Sequence, residues 1–183
     1  NNRLIKQLNL TPKAFILCTI HRDSNTDNPE SLNQIMRGIL AIQWISNQAV
    51  VLPLHTRTRM KMTELLETDV ADELRKNGNI HVIDPAGFLD MISLESNCSL
   101  VITDSGGVQK EAFFFKKPCI ILREQTEWVE IVENGNAMLV GSSEEKLIDA
   151  YHQLTHKNDY TYPPFFGDGH ASEEICRLII EHL

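Results

Sequence analysis

At 183 residues the chain fits one domain with one core, since domains fall most often at roughly 100–200 residues. Hydrophobic residues at 42% and charged residues at 23% exclude a disordered or fibrous class. A formal charge of −8 excludes broad, non-specific binding to nucleic acid, because phosphate neutralisation needs a clustered excess of Lys and Arg. Any polyanion it binds must be small and locally held. No apolar run approaches the roughly 20 residues that cross a bilayer. The opening Asn1-Asn2-Arg3-Leu4 has neither a signal-peptide core nor a Met, so the expectation is a cytoplasmic protein without a membrane partner, and a fragment of a longer chain.

In chain order, short β-branched and aliphatic runs recur at Ala14 to Ile20, Ala49 to Leu54, Ile80 to Ile83, Ser99 to Thr103, Pro118 to Leu122 and Ala137 to Val140. They read as buried strands. Between them lie stretches with helical spacing, such as Leu32, Ile35, Met36, Ile39, Leu40 and then Leu65, Val70, Leu74, most preceded by a residue able to cap a helix start. Phe165-Phe166-Gly167-Asp168-Gly169-His170 reads as a turn into a closing helix from Ala171 to His182, with Ile175, Leu178 and Ile179 on one face. The alternation predicts an α/β fold: a Rossmann-like parallel sheet with helices on both faces, as a single domain over residues 1–183. Ligands of such sheets sit beyond the carboxyl ends of the strands, so the strand-to-helix loops are where function is expected. Cys18, Cys98, Cys119 and Cys176 lack metal-ligand spacing and are expected to be buried free thiols in a reducing compartment.

Three of those loops carry chemistry. Val101-Ile102-Thr103-Asp104 runs into Ser105-Gly106-Gly107 and then into a helix bearing Glu111. Glycines let a phosphate approach the backbone, and the free N–H groups of a helix start favour negative charge. Ser105 adds a hydroxyl donor, and Glu111, about one and a half turns on, can accept from a ribose diol. Diphosphate plus ribose means a nucleotide. Such a turn can also serve chain geometry alone, and the neighbouring loops weigh for the ligand. After the first strand, His21 and Arg22 bring an imidazole able to protonate a departing phosphate oxygen and a fixed fork of donors, although Arg22 can instead pair with Asp23 or Glu30. After the fifth strand, Arg123 and Thr126 add donors at the same sheet edge. His55 also ends a strand, with structural and functional readings equally open. The Phe113-Phe114-Phe115 run reads as core and interface rather than a stacking platform.

Taken in order, His21-Arg22, the Pro53-Leu54-His55 loop, Asp104-Ser105-Gly106-Gly107 with Gln109 and Glu111, Arg123 before Thr126-Glu127, and Gly167-Asp168-Gly169 resemble the C-terminal domain of the non-hydrolysing UDP-N-acetylglucosamine 2-epimerases. The resemblance covers almost the whole chain, and Asp-Ser-Gly-Gly-x-Gln-x-Glu is its most specific element. It implies the second half of a GT-B type two-domain enzyme, with a UDP-sugar held in the cleft against the protein's own N-terminal domain, and a homodimer at full length. It implies elimination of UDP to a 2-acetamidoglucal and re-addition after C2 has changed configuration, with neither a redox cofactor nor a metal. Ser105, Gly106 and Gly107 would hold the diphosphate, Glu111 the ribose hydroxyls, and Arg123 and His21 the phosphate side of the cleft; Arg22 and Thr126 are further candidate UDP contacts, and from the residues themselves Phe88 or Met91 is the candidate for contact with a uracil ring. His21 would be the catalytic group and His55 a candidate regulatory contact. The family's carboxylates lie mainly on the other domain, so this chain alone is expected to bind UDP without turnover.

The sequence departs from the family's usual pattern at Asp23-Ser24, where Arg-Glu is frequent, at Lys110, where Glu stands, and at Trp128-Val129, where Arg-Pro is usual. These departures leave the sugar open between UDP-GlcNAc and a modified UDP-2-acetamido sugar. A donor-binding domain of a GT-B glycosyltransferase, which would release UDP only with an acceptor, and a non-catalytic UDP-sugar-binding module are the alternatives.

Overall fold

A computed structural model describes residues 3–182. Its elements in chain order are α1 (Arg3–Gln7), β1 (Phe15–Thr19), α2 (Asp23–Thr26), α3 (Pro29–Ser46), β2 (Ala49–Pro53), α4 (Thr56–Leu65), α5 (Thr68–Lys76), β3 (Ile80–Ile83), α6 (Phe88–Asn97), β4 (Leu100–Thr103), α7 (Gly106–Phe114), β5 (Cys119–Ile121), α8 (Val129–Glu133), β6 (Ala137–Leu139), α9 (Glu144–His156) and α10 (Ala171–Glu181). Each of the six expected apolar runs contains one strand. All pairings are parallel, in the order β3-β2-β1-β4-β5-β6.

The strands are apolar almost throughout because both faces are covered. Side chains alternate along each strand: Ile16, Cys18 and Ile20 of the first strand segment meet the cluster that includes Leu32, Ile35 and Met36 of α3 and Leu147 and Leu154 of α9. Phe15 and Leu17 meet Leu94 and Cys98 near α6 and Ala112 and Phe113 of α7 on the opposite face. Each fully buried Leu or Ile contributes about 2 kcal/mol. Helix α3 begins at Asn28, whose side chain accepts from the Ser31 N–H, followed by Pro29; it ends at Asn47, with φ at +53°. Its Gly38 lets α9 pack closely: a Cβ there would stand 3.3 Å from Leu147 Cδ1.

Two expectations need correction. The Leu65, Val70, Leu74 stretch is not one helix but α4 and α5, broken at Leu66 and Glu67. The break is tertiary in origin, since Asn33 of α3 donates to Leu65 O and accepts from Glu67 N at 2.8 Å. Cys18, Cys98 and Cys119 are buried, but Cys176 is exposed. It lies on α10, which has no buried residue and presents Ile175, Leu178, Ile179 and Ile180 to solvent. Among the described residues no helix is long and apolar enough to cross a membrane.

The chain builds outward from β1 to β3 on one side and then crosses back to lay β4 against β1 on the other. Thr19 and Thr103 are register partners at the carboxyl ends of β1 and β4, with hydroxyls 2.6 Å apart. The loops that carry His21 and Ser105 therefore leave the sheet side by side at its topological switch point, where such folds hold ligands.

Candidate functional site

One carboxylate ties the two loops together. Asp104, fully buried, accepts from the backbone N–H of His21 at 3.0 Å, from that of Arg22 at 2.9 Å and from Asn25 Nδ2 at 3.0 Å. Asn25 Nδ2 also donates to Leu122 O at 3.0 Å, which brings in the β5 loop. Arg22 spends its Nε–H on Asp104 O at 2.9 Å and makes no ion pair with Asp23 or Glu30 among the described residues. Asp23 pairs with Arg57 at 2.8 Å instead.

The turn after β4 is a capped helix start. Ser105 Oγ accepts from Val108 N, and Gly106 opens α7. A Cβ at Gly106 would meet the Glu127 carboxylate, the far end of a flexible side chain that would have to move, and would lie in ordinary contact 3.7 Å from Trp128 Nε1. Trp128 Nε1 donates to Gly106 O at 2.7 Å. Arg123, whose side chain is only 15% exposed, pairs with Glu127 at 2.7 Å. Bonding to its own backbone N–H and then to Arg123 holds the Glu127 carboxyl below its ordinary range. Arg123, Glu127 and the Ser-Gly-Gly turn are thus one connected group. Thr126 turns inward: its hydroxyl donates to Gln109 Oε1 at 2.6 Å, and Gln109 Nε2 is buried without a partner.

His21 and His55, read separately from the sequence, stand together with ring centres 4.5 Å apart. Burial first and the neighbouring His55 second lower the His21 pKa from 6.5, against an upward pull from Asp104. His21 is therefore neutral at pH 7, and its Nδ1 is buried without a partner. His55 is exposed and precedes α4 without capping it through its side chain. A polar hollow of 340 Å³ opens at the same strand ends, lined by Arg22, Asn25, Arg123, Glu124 and Gly141 among others. A larger one of 660 Å³ lies beside Trp44 and Glu73 on the outer side of α3 and α5, away from these loops.

Glu111 is half-buried on α7. Met91 of α6 packs against the second core face, whereas Phe88 at the start of α6 is 72% exposed. Phe113 is buried and Phe114 exposed; both rings contact Phe166. Sequence reasoning assigned no task to Asp104, Asn25 or Gln109, and it missed Glu95. Glu95 is buried on α6, near enough to Glu111 for the two carboxyl groups to interact. A charged residue on the apolar face of Met91, Leu94 and Cys98 was a signal available in the sequence.

The sheet order and the Ser-Gly-Gly turn at its switch point define an α/β protein of the Rossmann-like class. Residues 1 to 180 match the family described as UDP-N-acetylglucosamine 2-epimerase, and the chain belongs to that family. It is 38% identical over 179 residues to a UDP-N-acetylglucosamine 2-epimerase homolog of Methanococcus maripaludis, a match covering 98% of this chain and 48% of the relative. It is 43% identical over 166 residues to the UDP-2,3-diacetamido-2,3-dideoxy-D-glucuronate 2-epimerase of Pseudomonas aeruginosa, covering 91% of this chain and 44% of that protein. The crystal structure of Methanocaldococcus jannaschii UDP-GlcNAc 2-epimerase in complex with UDP-GlcNAc and UDP superimposes with a TM-score of 0.83 at 38% identity, over 99% of this chain and 49% of that one. The chain thus spans about half the length of the relatives it matches.

Proposed function

We propose that this chain is the UDP-binding half of a cytoplasmic UDP-N-acetylglucosamine 2-epimerase, acting on UDP-GlcNAc and UDP-ManNAc or on a modified UDP-2-acetamido sugar. The observation that carries the reading is the Asp104 clamp: it sets His21 and Arg22 beside the Ser105-Gly106-Gly107 turn, which gives a diphosphate a helix start, an imidazole and a guanidinium together. Ser105, Gly106 and Gly107 hold the diphosphate, with Arg22 and Arg123 beside it. Thr126 reaches the site indirectly, by orienting Gln109. Glu111 accepts from the ribose. Neutral His21 can hydrogen-bond the phosphate oxygen, and the negative charge that develops as UDP departs favours its protonation.

The partner surface is the protein's own N-terminal domain. Helix α10, with its row of exposed Ile and Leu, is the kind of amphipathic element that needs such a partner. The carboxylates that must act within hydrogen-bond reach of C2 belong to that domain, so the chain alone binds UDP but does not interconvert the sugars, and the whole enzyme works as a homodimer. The diacetamido-glucuronate enzyme among the relatives supports keeping a modified sugar beside UDP-GlcNAc.

Calorimetric titration of this chain with UDP, with UMP and ADP as controls, tests the reading. UDP should bind, UMP more weakly and ADP not at all, and Glu111→Ala and Arg123→Ala should each weaken UDP about tenfold. UDP binding untouched by both substitutions would refute the site, and sustained sugar interconversion by this chain alone would refute the division of labour.

A further inference from the structure

Helices α6 and α7 pack side by side, and two carboxyl groups meet between them. Glu95 projects from α6 on the side of Leu94 and Cys98 and is 1% exposed, with Oε1 buried and without a partner. Glu111, half-buried on the adjacent α7, stands close enough for the two carboxyl groups to interact. Two carboxylates cannot both stay ionised at such a contact. A proton must remain on one of them, and burial favours the deeper, Glu95.

We propose that Glu95 is a positioning residue of the nucleotide site: its protonated carboxyl donates to Glu111 and so holds the Glu111 carboxylate oriented toward the ribose diol. This rests on the reading of Glu111 as the ribose acceptor. Burial first, then the Glu111 charge and the shared hydrogen bond, push the Glu95 carboxyl up from 4.5 to about 8, so the donor persists at neutral pH. The other titratable groups around the pair do not compete. Cys98, at the end of α6, is itself pushed up to about 12 by burial and stays a thiol. Lys117, just beyond α7, acts on Cys98 and is lowered by its own burial. As an acid, Glu95 has one O–H to give, and the Glu111 carboxylate can accept it. Above pH 8 the proton leaves, the two charges repel, and the ribose acceptor is displaced.

The test combines carbon-13 NMR titration of the Glu side-chain carboxyls with UDP calorimetry from about pH 6.5 to 9. In the wild-type chain the Glu95 carboxyl should titrate near 8, and Glu111→Gln, by removing the charged neighbour, should lower that midpoint. UDP affinity should fall about tenfold across the same range. Glu95→Gln, which keeps a permanent N–H donor, should bind near the wild-type level at pH 7 without the fall, and Glu95→Leu should bind weakly at every pH. A UDP analogue lacking both ribose hydroxyls should show no such fall in any variant. A Glu95 midpoint near 4.5, or an alkaline fall that persists in Glu95→Gln, overturns the assignment and leaves the nucleotide reading standing. Glu111→Ala binding UDP like the wild type overturns the nucleotide reading, and the assignment with it, even where the paired titration is seen.

Discussion

The ammonium of Lys110 lies 4.6 Å from the centre of the Trp128 ring. Phe166 closes the other side at 4.5 Å. Both positions are among the expected departures from the family's pattern, and they meet in space. A cation over aromatic faces therefore joins α7 to the β5 loop, worth about 0.5–2 kcal/mol. Trp128→Arg sets two cations together and Lys110→Glu sets a carboxylate against the negative face of the rings, so each should destabilise by about 1–2 kcal/mol in urea unfolding. The double variant should regain about 1 kcal/mol of the summed loss. Simple additivity would show that the two departures are independent.

Asp104 should be the least replaceable polar residue of the site. Asp104→Asn puts an amide against the N–H groups of His21 and Arg22 and leaves at least one buried donor unmet. The expected cost is about 2–4 kcal/mol, read from the urea midpoint, together with a loss of UDP affinity as the His21 loop separates from the Ser105 turn. A variant as stable as the wild type would mean that the sheet alone holds the loops together.

His21 should take up a proton when a diphosphate binds. Its pKa is lowered by burial and by His55, and an adjacent anion acts in the opposite direction. UDP titrated near pH 6.5 in two buffers of different ionisation enthalpy should therefore give different apparent heats, in the direction of proton uptake. His55→Ala removes the second cause, so NMR should find the His21 midpoint raised toward 6.5.

The Glu95 proton should also appear in stability. Its folded pKa, about 8, lies above the ordinary 4.5. Between those values the folded chain keeps a proton that the unfolded chain has lost, so stability falls as pH rises from about 4.5 to 8 and levels off above. Glu95→Gln should flatten that limb and stabilise the chain at pH 8 by about 1–3 kcal/mol. An unchanged slope in Glu95→Gln would place the proton elsewhere.

The sheet was legible from sequence because a strand covered on both faces leaves an unbroken apolar run, as in Phe15 to Ile20. The break between α4 and α5 was not, because it depends on Asn33, 34 residues earlier, bonding the backbone of Glu67. The same limit hid the clamp: Asp104 was visible inside its motif, but its partner His21 lies 83 residues away and comes near only once β4 pairs with β1. The His21–His55 contact likewise needs β1 beside β2. Local signals placed the turn, the imidazoles and the cationic side chains at strand ends, and only the strand order decides which of them touch. Glu95 stood out against its apolar helix face, but Glu111 as its partner again required the packing of α6 on α7.

The uneven burial of the thiols makes the last helix chemically addressable. Cys18, Cys98 and Cys119 are buried, with pKa values pushed up by that burial, and are poor nucleophiles toward alkylating reagents. Cys176, on the free helix α10, is exposed. A maleimide dye should therefore mark one position on α10, and its emission would report whether a second domain packs over Ile175 and Ile179.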